Sequence, residues 1–123
     1  MIKNRIRSFT YAFRGLQFLI KTQWNAKIHL IFAILAIVCG VLFQITSLEW
    51  AIIFLCIGSV LSLEAVNTAI EQIVDLVSPE YHELAKNAKD VAAGAVLIAA
   101  MIAILVGTLI FIPYVKMAFF STT

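Results

Sequence analysis

The sequence predicts an all-α integral membrane protein, with an N-terminal amphipathic interface helix followed by three transmembrane helices. Three observations lead there. The chain of 123 residues is 63% hydrophobic and 13% charged, whereas a soluble domain is roughly half apolar and a quarter charged. Its apolar residues gather into three stretches near the length of about 20 residues that crosses a bilayer. Its cations collect before the first stretch and between the second and third. At this length there is one domain, over residues 1–123, and a mean hydropathy of +1.01 is too high for a single water-soluble core.

Residues 1–27 read as the interface helix. Ile2, Ile6, Phe9, Phe13, Leu16 and Ile20 recur at steps of three and four, while Lys3, Arg7, Arg14 and Lys21 share another face. That pattern suits a helix with its apolar side in the acyl region and its cations at the headgroups. A leader is not the expectation here: the first long apolar run begins only near Ile28, and no small-residue cleavage motif follows it.

The spans are expected at 28–45, 50–77 and 91–112. The second is apolar through Leu63 and mixed beyond it, and the third stops at Pro113, which cannot continue a helix interior. The connection before the third span reads as helical, with Ser78 as N-cap, Pro79 in the first position, and Glu80 and Glu83 in the first turn. Lys3, Arg5, Arg7, Arg14, Lys21 and Lys27 precede span one, and Lys86 and Lys89 separate spans two and three, whereas the connection between spans one and two carries only Glu49. The positive-inside rule then places the N-terminus in the cytoplasm and the C-terminus outside.

Ala95, Ala99, Ala103 and Gly107 line one face of span three, which lets a neighbouring helix approach closely. A three-span bundle has little interior for polar groups, so a homo-oligomer is expected. A formal charge of +2 is too small to argue for a nucleic-acid partner, and no basic patch is interleaved with aromatics, so none is expected. Cys39 and Cys56 lie inside apolar runs without ligand-like spacing and read as packed thiols.

One segment breaks the apolar pattern. Residues 64–75 read Glu-Ala-Val-Asn-Thr-Ala-Ile-Glu-Gln-Ile-Val-Asp, and Glu64, Asn67, Glu71 and Asp75 fall within an arc of about 80° on a helix. Counting from Trp50, Glu64 lies about 21 Å along the span, within the inner leaflet. A carboxylate there costs on the order of 2.5–3.5 kcal/mol, so it needs a compensating role. Three roles fit the spacing. The stripe can be an interhelical hydrogen-bond cluster holding an oligomer together, though Asn67 alone would serve. It can be a proton or ion path, although spans one and three show no acidic or basic partner to extend a relay. Or it can be catalytic, with a deep Glu as general base and a shallower carboxylate holding Mg²⁺ on nucleotide phosphates. No P-loop, Gly-rich kinase loop or kinase catalytic motif is present, so phosphoryl transfer would need another scaffold.

The run at 64–75 resembles the signature of the prokaryotic diacylglycerol kinase family, which includes undecaprenol kinases. The block Lys86-Asn-Ala-Lys89-Asp90-Val-Ala-Ala-Gly-Ala-Val-Leu is similar to the family's second block, and Pro79-Glu80-Tyr81-His82-Glu83-Leu84-Ala85 fits between them. The plan of an interface helix plus three spans agrees over nearly the whole chain. The resemblance implies ATP- and Mg²⁺-dependent phosphorylation of a membrane lipid, with diacylglycerol as the expected acceptor. Undecaprenol, or a non-catalytic oligomer whose stripe only joins subunits, is the alternative. It also implies a bacterial cytoplasmic membrane and a homotrimer with active sites shared between subunits.

Roles carry over residue by residue from that resemblance. Glu64 is similar to the general base, with Asn67 positioning the reacting groups beside it. Glu71 resembles the carboxylate that ligates Mg²⁺ on ATP. Tyr11, Glu80, His82, Lys89 and Asp90 match ATP-contacting positions, and Arg14, Asn25 and Glu64 match lipid-facing ones. The chain departs at Gln23, where the family usually carries a Glu that serves as a second metal ligand. An amide still offers an oxygen but contributes no charge. His29, on an otherwise apolar start, reads as a satisfied interfacial histidine rather than a zinc ligand.

Overall fold

A computed structural model describes residues 1–120, which form four helices: α1 (Ile2–Thr22), α2 (Trp24–Phe43), α3 (Ser47–Val77) and α4 (Glu83–Phe120). Helices α2, α3 and α4 are each long and apolar enough to cross a membrane. α3 packs chiefly along α4, and α2 rests on α3 while touching α4 little.

Local chemistry sets most of the helix ends. α2 stops where Gln44 takes the left-handed conformation (φ 52°, ψ 53°). Gln44 N–H then donates to Val41 O and Ile45 N–H to Gly40 O, at 3.3 and 3.2 Å, the paired bonds of a Schellman closure. Gly40 is needed because the chain doubles back there: a Cβ at this position would lie 2.6 Å from the Trp50 ring. α3 opens on a capping box, with Thr46 Oγ1 accepting from Glu49 N–H and Glu49 Oε1 accepting from Thr46 N–H.

Three expectations about helix limits change. The segment 1–27 is not one helix. The chain is extended at Gln23 (φ −104°, ψ 113°), so Trp24, Asn25 and Lys27 belong to the first turn of α2. Nor is Ser78 the N-cap of the next helix. Its N–H donates to Val74 O at 2.8 Å and so closes α3. α4 begins at Glu83 instead, where His82 Nδ1 accepts from Leu84 N–H at 3.1 Å. Finally, α4 continues through Pro113. A proline inside a membrane helix is tolerated where neighbours and local adjustment absorb the lost hydrogen bond. Here Phe43 packs on Phe111 and Tyr114, with ring centroids 6.2 and 5.9 Å apart, and the Tyr114 hydroxyl donates to Glu49. Those contacts clamp the helix on both sides of the proline.

The burial pattern is inverted relative to a soluble domain. Glu64, Asn67 and Thr68 are among the most enclosed side chains, while large apolar residues along α2, α3 and α4, such as Phe32, Leu55, Leu97 and Ile104, are exposed. The apolar side chains that are buried include the small residues Ala26, Ala33 and Ala92.

Candidate active site

α3 carries the stripe on the face that meets its neighbours. Glu64 is 2% exposed and Asn67 7%, while Glu71 is half-buried and Asp75 exposed. Asn67 Nδ2 donates to Glu71 Oε1 at 3.3 Å, one turn on. Asn67 Oδ1 is buried without a partner among the described residues. A buried unpaired oxygen costs roughly 1–3 kcal/mol, so it marks a place where a ligand atom or ordered water belongs.

Glu64 does not face apolar side chains alone. His29 Nε2, on the second turn of α2, lies 3.7 Å from Glu64 Oε2. Span one therefore does supply a titratable partner, contrary to the expectation from sequence. His29 and Glu64 do not extend into a relay, because residues 30–43 of α2 carry no charged side chain.

At the other end of the stripe, the end of α3, the connection and the start of α4 enclose a polar cleft of about 280 Å³. Asp75, Glu80, His82, Lys86, Lys89 and Asp90 line it. Lys89 Nζ donates to Asp75 Oδ1 at 2.5 Å, and Lys86 Nζ to Asp90 Oδ2 at 2.7 Å. Lys89 precedes the uncharged run 91–112, and the bond to Asp75 holds its pKa above the ordinary lysine value. The Lys89–Asp90 block is thus not a free pair, since each member is neutralised by another residue. An incoming polyphosphate would have to displace Asp75 from Lys89.

The structure thus brings Glu64, Asn67 and Glu71 onto one line, and Asp75, Glu80, His82, Lys89 and Asp90 around one cleft. It does not bring the α1 residues into either group. Tyr11 and Arg14 are exposed and contact each other, with the guanidinium 6.0 Å from the ring centroid. Asn25 is exposed, and Gln23 is half-buried with its Nε2 donating to Thr22 Oγ1 at 3.4 Å. Sequence reasoning named neither His29 nor Lys86 as a site residue. Lys86 had a signal, since Asp90 lies four residues on and is a helical ion-pair spacing.

Among the described residues, no three His, Cys, Asp or Glu side chains group as a metal cage. Mg²⁺ is commonly held by one or two carboxylates together with substrate phosphates and water. Glu71 and the unpartnered Asn67 Oδ1 offer the hard oxygen donors such an ion takes.

Comparison with known proteins places the chain in a family. The family profile for prokaryotic diacylglycerol kinase matches residues 10–111. The chain is 47% identical over 107 residues to an undecaprenol kinase of Bacillus subtilis, covering 87% of each chain. It is 42% identical over 111 residues to a diacylglycerol kinase of Synechocystis, covering 89% of this chain and 63% of that one. It is 29% identical over 100 residues to the diacylglycerol kinase of Escherichia coli K12, covering 81% and 82%. The chain belongs to the prokaryotic diacylglycerol kinase family, a family of membrane-spanning lipid kinases.

Proposed function

We propose that this chain transfers the γ-phosphate of ATP to the primary hydroxyl of a membrane lipid, at the cytoplasmic face of a bacterial membrane. The observation that carries the reading is the alignment of a buried carboxylate, an unpartnered buried amide oxygen and a polar cleft along one helix face. Glu64 accepts the proton of the lipid hydroxyl. The freed oxygen forms a bond to the γ-phosphorus, the bond to the β–γ bridging oxygen breaks, and that electron pair leaves with ADP. Asn67 orients the reacting groups, and Lys89, released from Asp75, neutralises phosphate charge. Glu80, His82 and Asp90 face the nucleotide from the cleft walls. Glu71 and Asn67 Oδ1 would hold Mg²⁺, which when bound offsets charge on the phosphates.

The exposed apolar residues of α1, Ile2, Ile6, Phe9, Phe13 and Leu16, support its placement in the inner interface. From there Tyr11 would approach nucleotide, and Arg14 and Asn25 the lipid head group. The small residues Ala95, Ala99, Ala103 and Gly107 along α4 let another helix approach closely and support a homo-oligomer, which the family resemblance makes a homotrimer with shared sites. Cations on the N-terminus and on the α3–α4 connection support a cytoplasmic N-terminus.

Diacylglycerol and undecaprenol stand equally as acceptors, because the relatives matched carry both names. The test is transfer of labelled γ-phosphate by purified protein to each lipid, side by side. Transfer to one or both is expected, and no transfer to either removes the reading.

Gln23 gives a second test. If it faces the metal, Gln23→Glu adds a charge there and lowers the half-saturating Mg²⁺ concentration, by roughly tenfold on the scale of metal-shell substitutions. An unchanged Mg²⁺ titration would remove Gln23 from the site.

A further inference from the structure

We propose that His29 is a positioning residue for Glu64, donating from Nε2 to the carboxylate and holding it in the orientation that receives the lipid proton. The inference rests on the reading of Glu64 as the base. Its own support is geometric. Glu64 is buried, and His29 is the only basic side chain in contact with its carboxylate among the described residues. The 3.7 Å separation is longer than a hydrogen bond. Catalytic contacts are often long in the unliganded protein and tighten on substrate binding.

Among the described residues, no other side chain anchors that carboxylate. Thr68 Oγ1 bonds the Glu64 backbone oxygen at 2.9 Å, not the side chain. The buried α4 residues Ala92 and Val96 are apolar. The Glu side chain has three rotatable bonds, and holding it in one geometry forfeits its rotamer freedom. A donor built into the adjacent helix supplies that restraint.

His29 is well placed to be this donor. Its ring lines the end of an apolar groove between α2, α3 and α4, alongside Phe32, Ala33, Val60 and Ala103. It makes no hydrogen bond to any other described residue, so Nε2 has no competing acceptor. Both the neutral ring protonated at Nε2 and the imidazolium donate from this atom, so the role does not depend on charge state. With Oε2 engaged, Oε1 is left for the hydroxyl. A misplacement of about 1 Å can cost about 10²-fold in rate.

The test compares His29→Leu, His29→Gln and His29→Asn with wild type and Glu64→Gln. It uses full-length protein in mixed micelles, with MgATP and whichever of dispersed diacylglycerol or undecaprenol the wild type uses. Gln places an amide N–H near the Nε2 position, whereas Asn is too short. His29→Leu and His29→Asn should lose roughly 10–100-fold in kcat, with KM for MgATP and lipid within about twofold, and His29→Gln should recover most of the loss. Gln and Asn are matched in polarity, so their contrast is readable even if the leucine variant fails to assemble. His29→Asn turning over within about threefold of wild type, His29→Gln no faster than His29→Asn, or a loss confined to lipid KM would each overturn the proposal. The Glu64→Gln arm separates the two claims: full activity there removes the base assignment, whereas an inactive variant leaves the His29 series to judge positioning alone.

Discussion

Glu64→Gln is expected to lower kcat by about 10²–10⁴-fold, the usual contribution of a positioned general base, while leaving KM for MgATP within about twofold. The substitution keeps the shape of a side chain that is only 2% exposed, so the packing of α3 against α2 and α4 is retained. What it removes is a group able to take the hydroxyl proton. It also removes a charge that costs on the order of 2.5–3.5 kcal/mol to place in the bilayer. The variant should therefore be at least as stable as wild type in a steric or denaturant unfolding assay. Loss of rate with retained or increased stability is the signature of a site held at a cost to the fold. If the stripe only joined subunits, the same change would alter assembly and leave no rate to lose. Steady-state transfer of labelled phosphate together with the unfolding midpoint gives both readings, and kcat within tenfold of wild type would place the base elsewhere.

Much of the architecture is legible because lipid imposes a simple rule. Every backbone polar group in the bilayer must be satisfied within its own helix, so long apolar runs become helices. Hydropathy alone therefore points to α2, α3 and α4. Periodicity places Glu64, Asn67 and Glu71 on one face, since it depends only on the 3.6-residue repeat. The misread features depend on information outside a single helix. Nothing in Thr22-Gln23-Trp24 breaks a helix by propensity, yet the chain is extended at Gln23. Pro113 reads as a stop until the Phe43 and Tyr114 packing that supports it is visible. Ser78 and His82 both offer a capping atom, and the direction of the chain after Val77 decides between them. The His29–Glu64 and Asp75–Lys89 contacts need the relative rotation of two helices, which no local pattern encodes.

Glu71→Gln is expected to show a different failure from Glu64→Gln, although the two carboxylates share one face. Seven residues separate them, about 10 Å along the axis toward the polar cleft. Glu71 Oε1 already accepts from Asn67 Nδ2, so the oxygens of this pair left without a partner among the described residues are Glu71 Oε2 and Asn67 Oδ1. An amide at position 71 can still accept from Asn67, which preserves the local geometry. It cannot supply the negative charge that attracts a divalent cation and holds it against the nucleotide phosphates. Loss of one preorganised electrostatic contact of this kind typically costs 10²–10³-fold, or about 2.7–4 kcal/mol. The half-saturating Mg²⁺ concentration should rise at least tenfold, and excess Mg²⁺ should recover part of the rate. No such recovery is expected for Glu64→Gln, because added cation does not replace a proton acceptor. A Mg²⁺ titration of both variants beside wild type therefore assigns the two roles separately. Equal insensitivity to Mg²⁺ would remove Glu71 from the metal and leave it only its hydrogen bond to Asn67.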